Sequence, residues 1–159
     1  MGTEDPLRVA PPGEAEVVAR LLAAFRAFYG ADEPSEEEML AVVRRLIETP
    51  DTEYLLAGDP PAGIAQIRFR PSVWTGADDC WVEDVFVESE ARGKGLGRRL
   101  IEGCVERARR RGCHRIQLDA NERNEGALAL YRSLGFKSGS PDRWDGGRDL
   151  YFTLWLQKG

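Results

Sequence analysis

The sequence predicts a mixed α/β domain whose elements run β-α-α-β-β-β-α-β-α-β. Three observations predict it. Stretches with apolar residues every three or four positions alternate with short stretches of period two. Asp59-Pro60-Pro61 separates two adjacent strand-like runs with a strong turn signal. The glycine turn ARGKGLG (91–97) joins a strand to a helix and leads to another strand, a β-α-β unit. The 159 residues suit a single domain, 1–159, with 1–6 as a loose terminus.

In order, LRVA (7–10) reads as a short strand, and EAEVVARLLAAFRAFYG (14–30) as a helix stopped by Gly30. Ser35 followed by Glu38 marks a capping box before a second helix, to about Glu48. EYLLAG (53–58) and AGIAQIRFR (62–70) are paired strands, with Arg68 and Arg70 alternating with Ile67 and Phe69. PSVWTGADD is a connection to the strand CWVEDVFVE (80–88). The next helix runs from about Gly95 to Arg111, with Leu96, Leu100, Cys104 and Ala108 as a buried stripe and Gly112 at its end. HRIQLDA (114–120) is a strand, NEGALALYRSLGF holds a helix capped by Asn124 and stopped by Gly135, and DLYFTLWLQ (149–157) is the last strand.

Composition narrows the function class. At 42% hydrophobic and 31% charged residues, the chain is that of a soluble globular protein, and no apolar run approaches a membrane span. Cys80, Cys104 and Cys113 follow no framework spacing, which suggests reduced thiols in the cytoplasm. The net charge of −5 argues against a general nucleic-acid binder. Residues 92–115 nevertheless hold nine Lys or Arg and two Glu, leaving 13 basic and 25 acidic residues elsewhere. A polyanionic cofactor and a cationic substrate would suit that division. A solvated basic helix face would explain it equally well.

The glycine turn fits the logic of anion binding: free helix-start N–H groups, glycines that tolerate φ > 0, and cations at Arg92, Lys94, Arg98 and Arg99. It is not the dinucleotide fingerprint, because Arg98 takes the third glycine position. Nor is it a P-loop, since no Lys-Ser or Lys-Thr follows a glycine. What remains is R-x-x-G-x-G at Arg92, Gly95 and Gly97. On this segment alone, a glycine-rich hairpin or a plain helix start stays open.

With two further segments, the chain resembles the GNAT superfamily of N-acetyltransferases. The family's [QR]-x-x-G-x-[GA] is matched by Arg92-Gly93-Lys94-Gly95-Leu96-Gly97. Its N-x-x-A-x-x-L-Y-x-x-x-G-F is matched by Asn124, Ala127, Leu130, Tyr131, Gly135 and Phe136. The βαα start follows the family's order, and Glu83-Asp84 is similar to a pair in its polyamine (diamine) acetyltransferases. The resemblance implies the GNAT-like acyl-CoA N-acyltransferase fold and acetyl-CoA as co-substrate. It implies that backbone amides of Gly93, Lys94, Gly95, Leu96, Gly97 and Arg98 hold the CoA pyrophosphate. Val85, Phe86 and Val87 would pair with the pantetheine arm as an added strand would. Asn124, Glu125, Gly126 and Ala127 would line the arm's other side. A homodimer is a further expectation, since the family often forms one.

Acyl transfer to an amine needs a base for the amine proton and an acid for the departing thiolate. Tyr131 is the expected acid, protonated at neutral pH with an unperturbed pKa of about 10; core packing on the face shared with Ala127 and Leu134 is the alternative. Glu83 is the expected base, against a merely solvated carboxylate. Strand alternation puts Glu83 and Asp84 on opposite faces unless a bulge intervenes, so they are not expected to act as a pair. Asp84, with Asp142 and Trp144, is expected to line the amine pocket. No metal site is expected from three scattered cysteines and His114. Trp74, Trp81, Trp144 and Trp155 are read as core and cleft walls. The acceptor class is a small cationic amine; a protein or peptide amine, a CoA-binding sensor without turnover, and a nucleic-acid module are the rivals.

Overall fold

The computed structural model describes residues 6–138 and 152–156. The chain divides into two compact units at Asp119. The first holds a five-stranded sheet of order β1-β2-β3-β4-β5, built from β1 (Leu7–Val9), β2 (Thr52–Ala57), β3 (Gly63–Ser72), β4 (Ala77–Val87) and β5 (Arg115–Gln117). The first four strands are antiparallel neighbours, and β5 joins β4 in parallel.

Helices α1 (Ala15–Phe28) and α2 (Glu36–Leu46) cover one sheet face, and α3 (Leu96–Arg111) the other. On the first face, Val18, Leu21 and Leu22 of α1 and Val43 of α2 close over Tyr54, Leu56, Ile64 and Phe86. On the second, the predicted stripe Leu96, Leu100, Cys104 and Ala108 is buried throughout. Gly63 lets it approach, for a Cβ there would lie 3.1 Å from Leu100 Cδ1. The capping box of α2 is closed: Glu38 N–H donates to Ser35 Oγ at 3.2 Å, and Ser35 N–H to Glu38 Oε2 at 2.8 Å. No helix among the described residues is long and apolar enough to cross a membrane.

The basic residues of α3 and β5 largely neutralise acids of the same unit. Arg107 grips Glu53 through two hydrogen bonds of 2.8 and 2.7 Å, and Arg111 reaches Asp51 and Asp78. Arg115 bonds Asp79, which burial pushes up but Arg115 and Thr75 hold below the usual carboxylate range. Part of the basic stretch therefore fastens α3 and β5 rather than facing a ligand.

Three expectations are corrected here. The connection from β3 to β4 is only Val73–Gly76, because Arg70, Pro71 and Ser72 pair with Asp79, Asp78 and Ala77. That extension carries few apolar residues, so it lacks a periodic signal. The expected strand over 149–157 is not formed in its described part: Phe152–Leu156 are exposed and have no strand assignment. Alternation gives a strand its faces, but ladder hydrogen bonds require a neighbour. Trp74 and Trp155 are each 89% exposed, not core or cleft walls. Trp74 stands in the short hairpin loop, where it is exposed, and Trp155 lies in the exposed segment 152–156.

The second unit holds α4 (Glu125–Ser133). Asn124 Oδ1 accepts from Ala127 N–H at 3.1 Å, and Gly135 turns the chain at φ 94°.

Candidate active site

β4 carries two local departures from a regular sheet. It pairs with β3 along its length, but with β5 only over Asp79, Cys80 and Trp81. From Val82 to Val87 the edge on the β5 side has no strand partner among the described residues. The second departure falls at the same point. Gln66 pairs with Asp84 and Ile67 with Val82, so Glu83 is an extra residue, a β-bulge.

The bulge brings the Glu83 carboxylate to the face that carries Gln66 and Arg68. Gln66 Nε2 donates to Glu83 Oε2 at 3.1 Å, and Arg68 Nε lies 2.7 Å from Glu83 Oε1. The latter is an ion pair without hydrogen-bond alignment at that nitrogen. Asp84 stands opposite Gln66, which stands opposite Tyr54. Burial pushes the Asp84 carboxyl above the usual carboxylate range, the charges of Glu83 and Asp119 add to this, and Arg68 opposes it. Burial likewise raises the Tyr54 phenol to about 12. The expectation that Glu83 and Asp84 are kept apart is thus corrected. Alternation separates neighbours only in a regular strand, and here it is interrupted between them.

Gln66, Arg68 and Tyr54 were missed as site residues by sequence reasoning. The available signal was Gln66, a polar side chain amid the apolar run of a central strand and only 5% exposed.

The glycine turn follows β4. Gly93 and Gly95 take φ of 78° and 81°, and a Cβ on either would meet nothing within 4 Å. Gly95 is the N-cap of α3 and offers no side-chain cap, so the first-turn amides of Leu96, Gly97 and Arg98 lack helical acceptors. This open, amide-lined turn fits an anionic group such as a pyrophosphate. Lys94 is exposed, and Arg98 pairs with Glu102 at 3.7 Å. Arg92 turns elsewhere: its Nε donates to the Val87 carbonyl at 3.0 Å, and its guanidinium lies 4.4 Å from the Phe28 ring centroid. It braces the turn against the end of β4 and occupies one of the carbonyls expected to meet pantetheine. The Phe86 ring is buried against Phe25, centroids 5.0 Å apart, so its backbone is what the open edge offers.

Among residues of the second unit, Asn124, Glu125, Gly126 and Ala127 form the start of α4, and a Cβ at Gly126 would meet open space. Tyr131 is half-buried, its ring 6.0 Å from that of Phe136. Asp142 and Trp144 lie outside the described residues. Cys80 and Cys104 are buried thiols, Cys80 raised to about 12 by burial, and neither is a reactive nucleophile. His114 is exposed, with Nδ1 3.0 Å from the Thr75 carbonyl.

A family model for the acetyltransferase (GNAT) family matches residues 18–136. A thialysine N-ε-acetyltransferase of Bos taurus is 33% identical over 98 residues, covering 55% of this chain and 57% of that protein. The chain spans about half the length of the curated relatives it matches. Among solved structures, a candidate acetyltransferase of Arthrobacter sp. FB24 is 28% identical, with a TM-score of 0.86 over 98% of this chain and 99% of that one. An aminoglycoside N-acetyltransferase in complex with CoA shares the fold, with a TM-score of 0.76 at 17% identity over 96% of each chain.

Proposed function

Because the chain belongs to the acetyltransferase (GNAT) family, we propose that it is an acetyl-CoA-dependent N-acetyltransferase acting on the primary amine of a small cationic molecule. The observation that carries this reading is one continuous stretch of chain, 82–98: an unpaired strand edge with a carboxylate-bearing bulge, running into an amide-lined glycine turn. Acetyl-CoA supplies an activated acetyl carbonyl. The amides of Gly93 to Arg98 bind its pyrophosphate, and the backbone of Val85 to Val87 holds the pantetheine arm by strand addition, apart from the Val87 carbonyl that Arg92 fills. For the second unit, family membership nominates Asn124 to Ala127 for the arm and Tyr131 as the acid for the leaving sulfur.

The acceptor end is assigned to the bulge, with Glu83 as the base that the sequence nominates and Asp84 beside it. Three carboxylates, Glu83, Asp84 and Asp119, act around one guanidinium, Arg68, so the local field favours a cation. The Bos taurus relative is named for acetylating an amine on a side chain, which supports a small-molecule acceptor. The family match runs across the division at Asp119, which supports a single functional domain. Three free cysteines suit a cytoplasmic setting.

Calorimetric titration of acetyl-CoA into the full chain, followed by CoA release with a panel of thialysine, putrescine, glucosamine and a lysine-containing peptide, tests the proposal. Micromolar one-to-one binding and turnover with a small amine are expected. Absence of binding in a folded sample sinks the cofactor assignment, binding without turnover leaves a sensor, and turnover of the peptide alone overturns the acceptor class.

A further inference from the structure

We infer that Asp84, rather than Glu83, takes the proton from the acceptor ammonium, and that Glu83 is a positioning residue held by Arg68 and Gln66. The inference rests on the acetyltransferase reading and divides the roles of the two carboxylates at the bulge. What decides between them is occupancy. Both Glu83 oxygens are engaged within the protein, Oε1 by Arg68 Nε at 2.7 Å and Oε2 by Gln66 Nε2 at 3.1 Å. Protonating Glu83 would strip Arg68 of its counter-charge and place a new proton beside an amide that already donates to it. Asp84 makes no hydrogen bond or ion pair with the described residues, and its carboxyl is half-buried.

The charged groups that act on Asp84 are Glu83 beside it on β4, Asp119 beyond β5 and Arg68 on β3, and Asp84 in turn helps to raise the Tyr54 phenol on β2. Burial and two like charges oppose ionisation, and one guanidinium favours it. A carboxylate so placed gains more from accepting a proton than a solvated one, which is the requirement for a base working near neutral pH. Arg68 then has a specific task. It holds the Glu83 carboxylate in place, and that charge both attracts the ammonium and opposes ionisation of Asp84.

In the step, one ammonium N–H bond breaks and the proton passes to the Asp84 carboxylate, leaving the electron pair on nitrogen. That pair forms the C–N bond to the acetyl carbonyl carbon. The C–S bond breaks, its electrons leave on sulfur, and the sulfur takes the Tyr131 proton. A second N–H bond of the former ammonium breaks, its proton passing to solvent to leave the neutral amide. Asp84 and Tyr131 recover their starting protonation by exchange with solvent.

The test uses the full chain and the panel amine with the highest turnover, reading kcat/KM across about pH 6 to 10. Asp84→Asn is expected to lower kcat by about 10²–10⁴ at neutral pH, to lose the ascending limb, and to recover at high pH, where solvent deprotonates the amine. Asp84→Ala is expected to regain rate on adding formate. Glu83→Gln is expected to act mainly on KM, by about tenfold, and to keep the limb. Loss of the limb in Glu83→Gln with its retention in Asp84→Asn overturns the inference while leaving the acetyltransferase reading intact.

A readout without turnover accompanies it. In acetyl-CoA-free protein carrying ¹³C-carboxyl aspartate, the resonance missing from Asp84→Asn is expected to titrate above the ordinary aspartate range. Titration within that range overturns the assignment. Absence of turnover with every panel amine overturns the acetyltransferase reading, and this division of roles with it.

Discussion

Glu83 and Asp84 are chain neighbours, and in an unbroken strand their side chains would point to opposite faces. One extra residue in β4 changes that, and with it the chemistry available at one sheet position. The same kind of local decision is made at Arg92. It lies in the R-x-x-G-x-G motif, yet its guanidinium packs on Phe28 and bonds the Val87 carbonyl. In the proposed reading, the pyrophosphate would therefore meet the amides of the turn and the exposed Lys94 rather than Arg92. Tyr131 sits on a nine-residue helix, half-buried and beside Phe136. If it is the proton donor of the proposed reaction, Tyr131→Phe lowers kcat by about 10²-fold or more while acetyl-CoA affinity and thermal stability stay near wild type. A residue needed only for packing would give the reverse: lost stability and an unchanged kcat in the folded fraction.

At the scale of elements, the turn from β4 into α3 is set by backbone conformation. Gly95 holds φ at 81° as the N-cap of α3, where an L side chain costs about 1–2 kcal/mol even in open space. Gly95→Ala is therefore expected to lower stability by roughly that amount. It should also weaken acetyl-CoA binding several-fold, measured by calorimetry, through a shifted set of first-turn amides. Unchanged affinity would place the pyrophosphate elsewhere. This element was legible in the sequence because glycine spacing and the buried stripe of α3 are local signals; the cap, the stripe and the Gly112 stop all stand where expected. The β3–β4 hairpin was not legible to the same degree, since Arg70, Pro71 and Ser72 pair without an apolar face to reveal it. The polar row Tyr54, Gln66, Asp84 was hidden for another reason: its members come from three strands and become neighbours only through register.

For the whole molecule, the site works against stability. The folded pKa of Asp84 is raised, so the native state binds its proton more tightly than the unfolded chain does. Its contribution is most favourable below the unfolded aspartate value of about 3.9 and is lost as pH rises through the folded value. Asp79 has the opposite sign: its lowered pKa stabilises the fold above the unfolded value, and that is lost as pH falls. Asp84→Asn is accordingly expected to raise the melting temperature at pH 7, with the gain shrinking as pH falls towards about 4. A constant or inverted difference across that range would show that Asp84 is not held in a strained, charge-crowded place. The sequence by itself determined the element order, the α2 capping box, the glycine turn, the α3 stripe and the membership of the family. Each is written in short-range periodicity, caps or motif spacing, which the chain carries without reference to distant residues. Only the tertiary structure decided that the β4–β5 ladder stops at Trp81, that a bulge turns Glu83 towards Arg68 and Gln66, and that Asp84 is left without a partner among the described residues. Register and desolvation are properties of several strands at once, and no single segment encodes them.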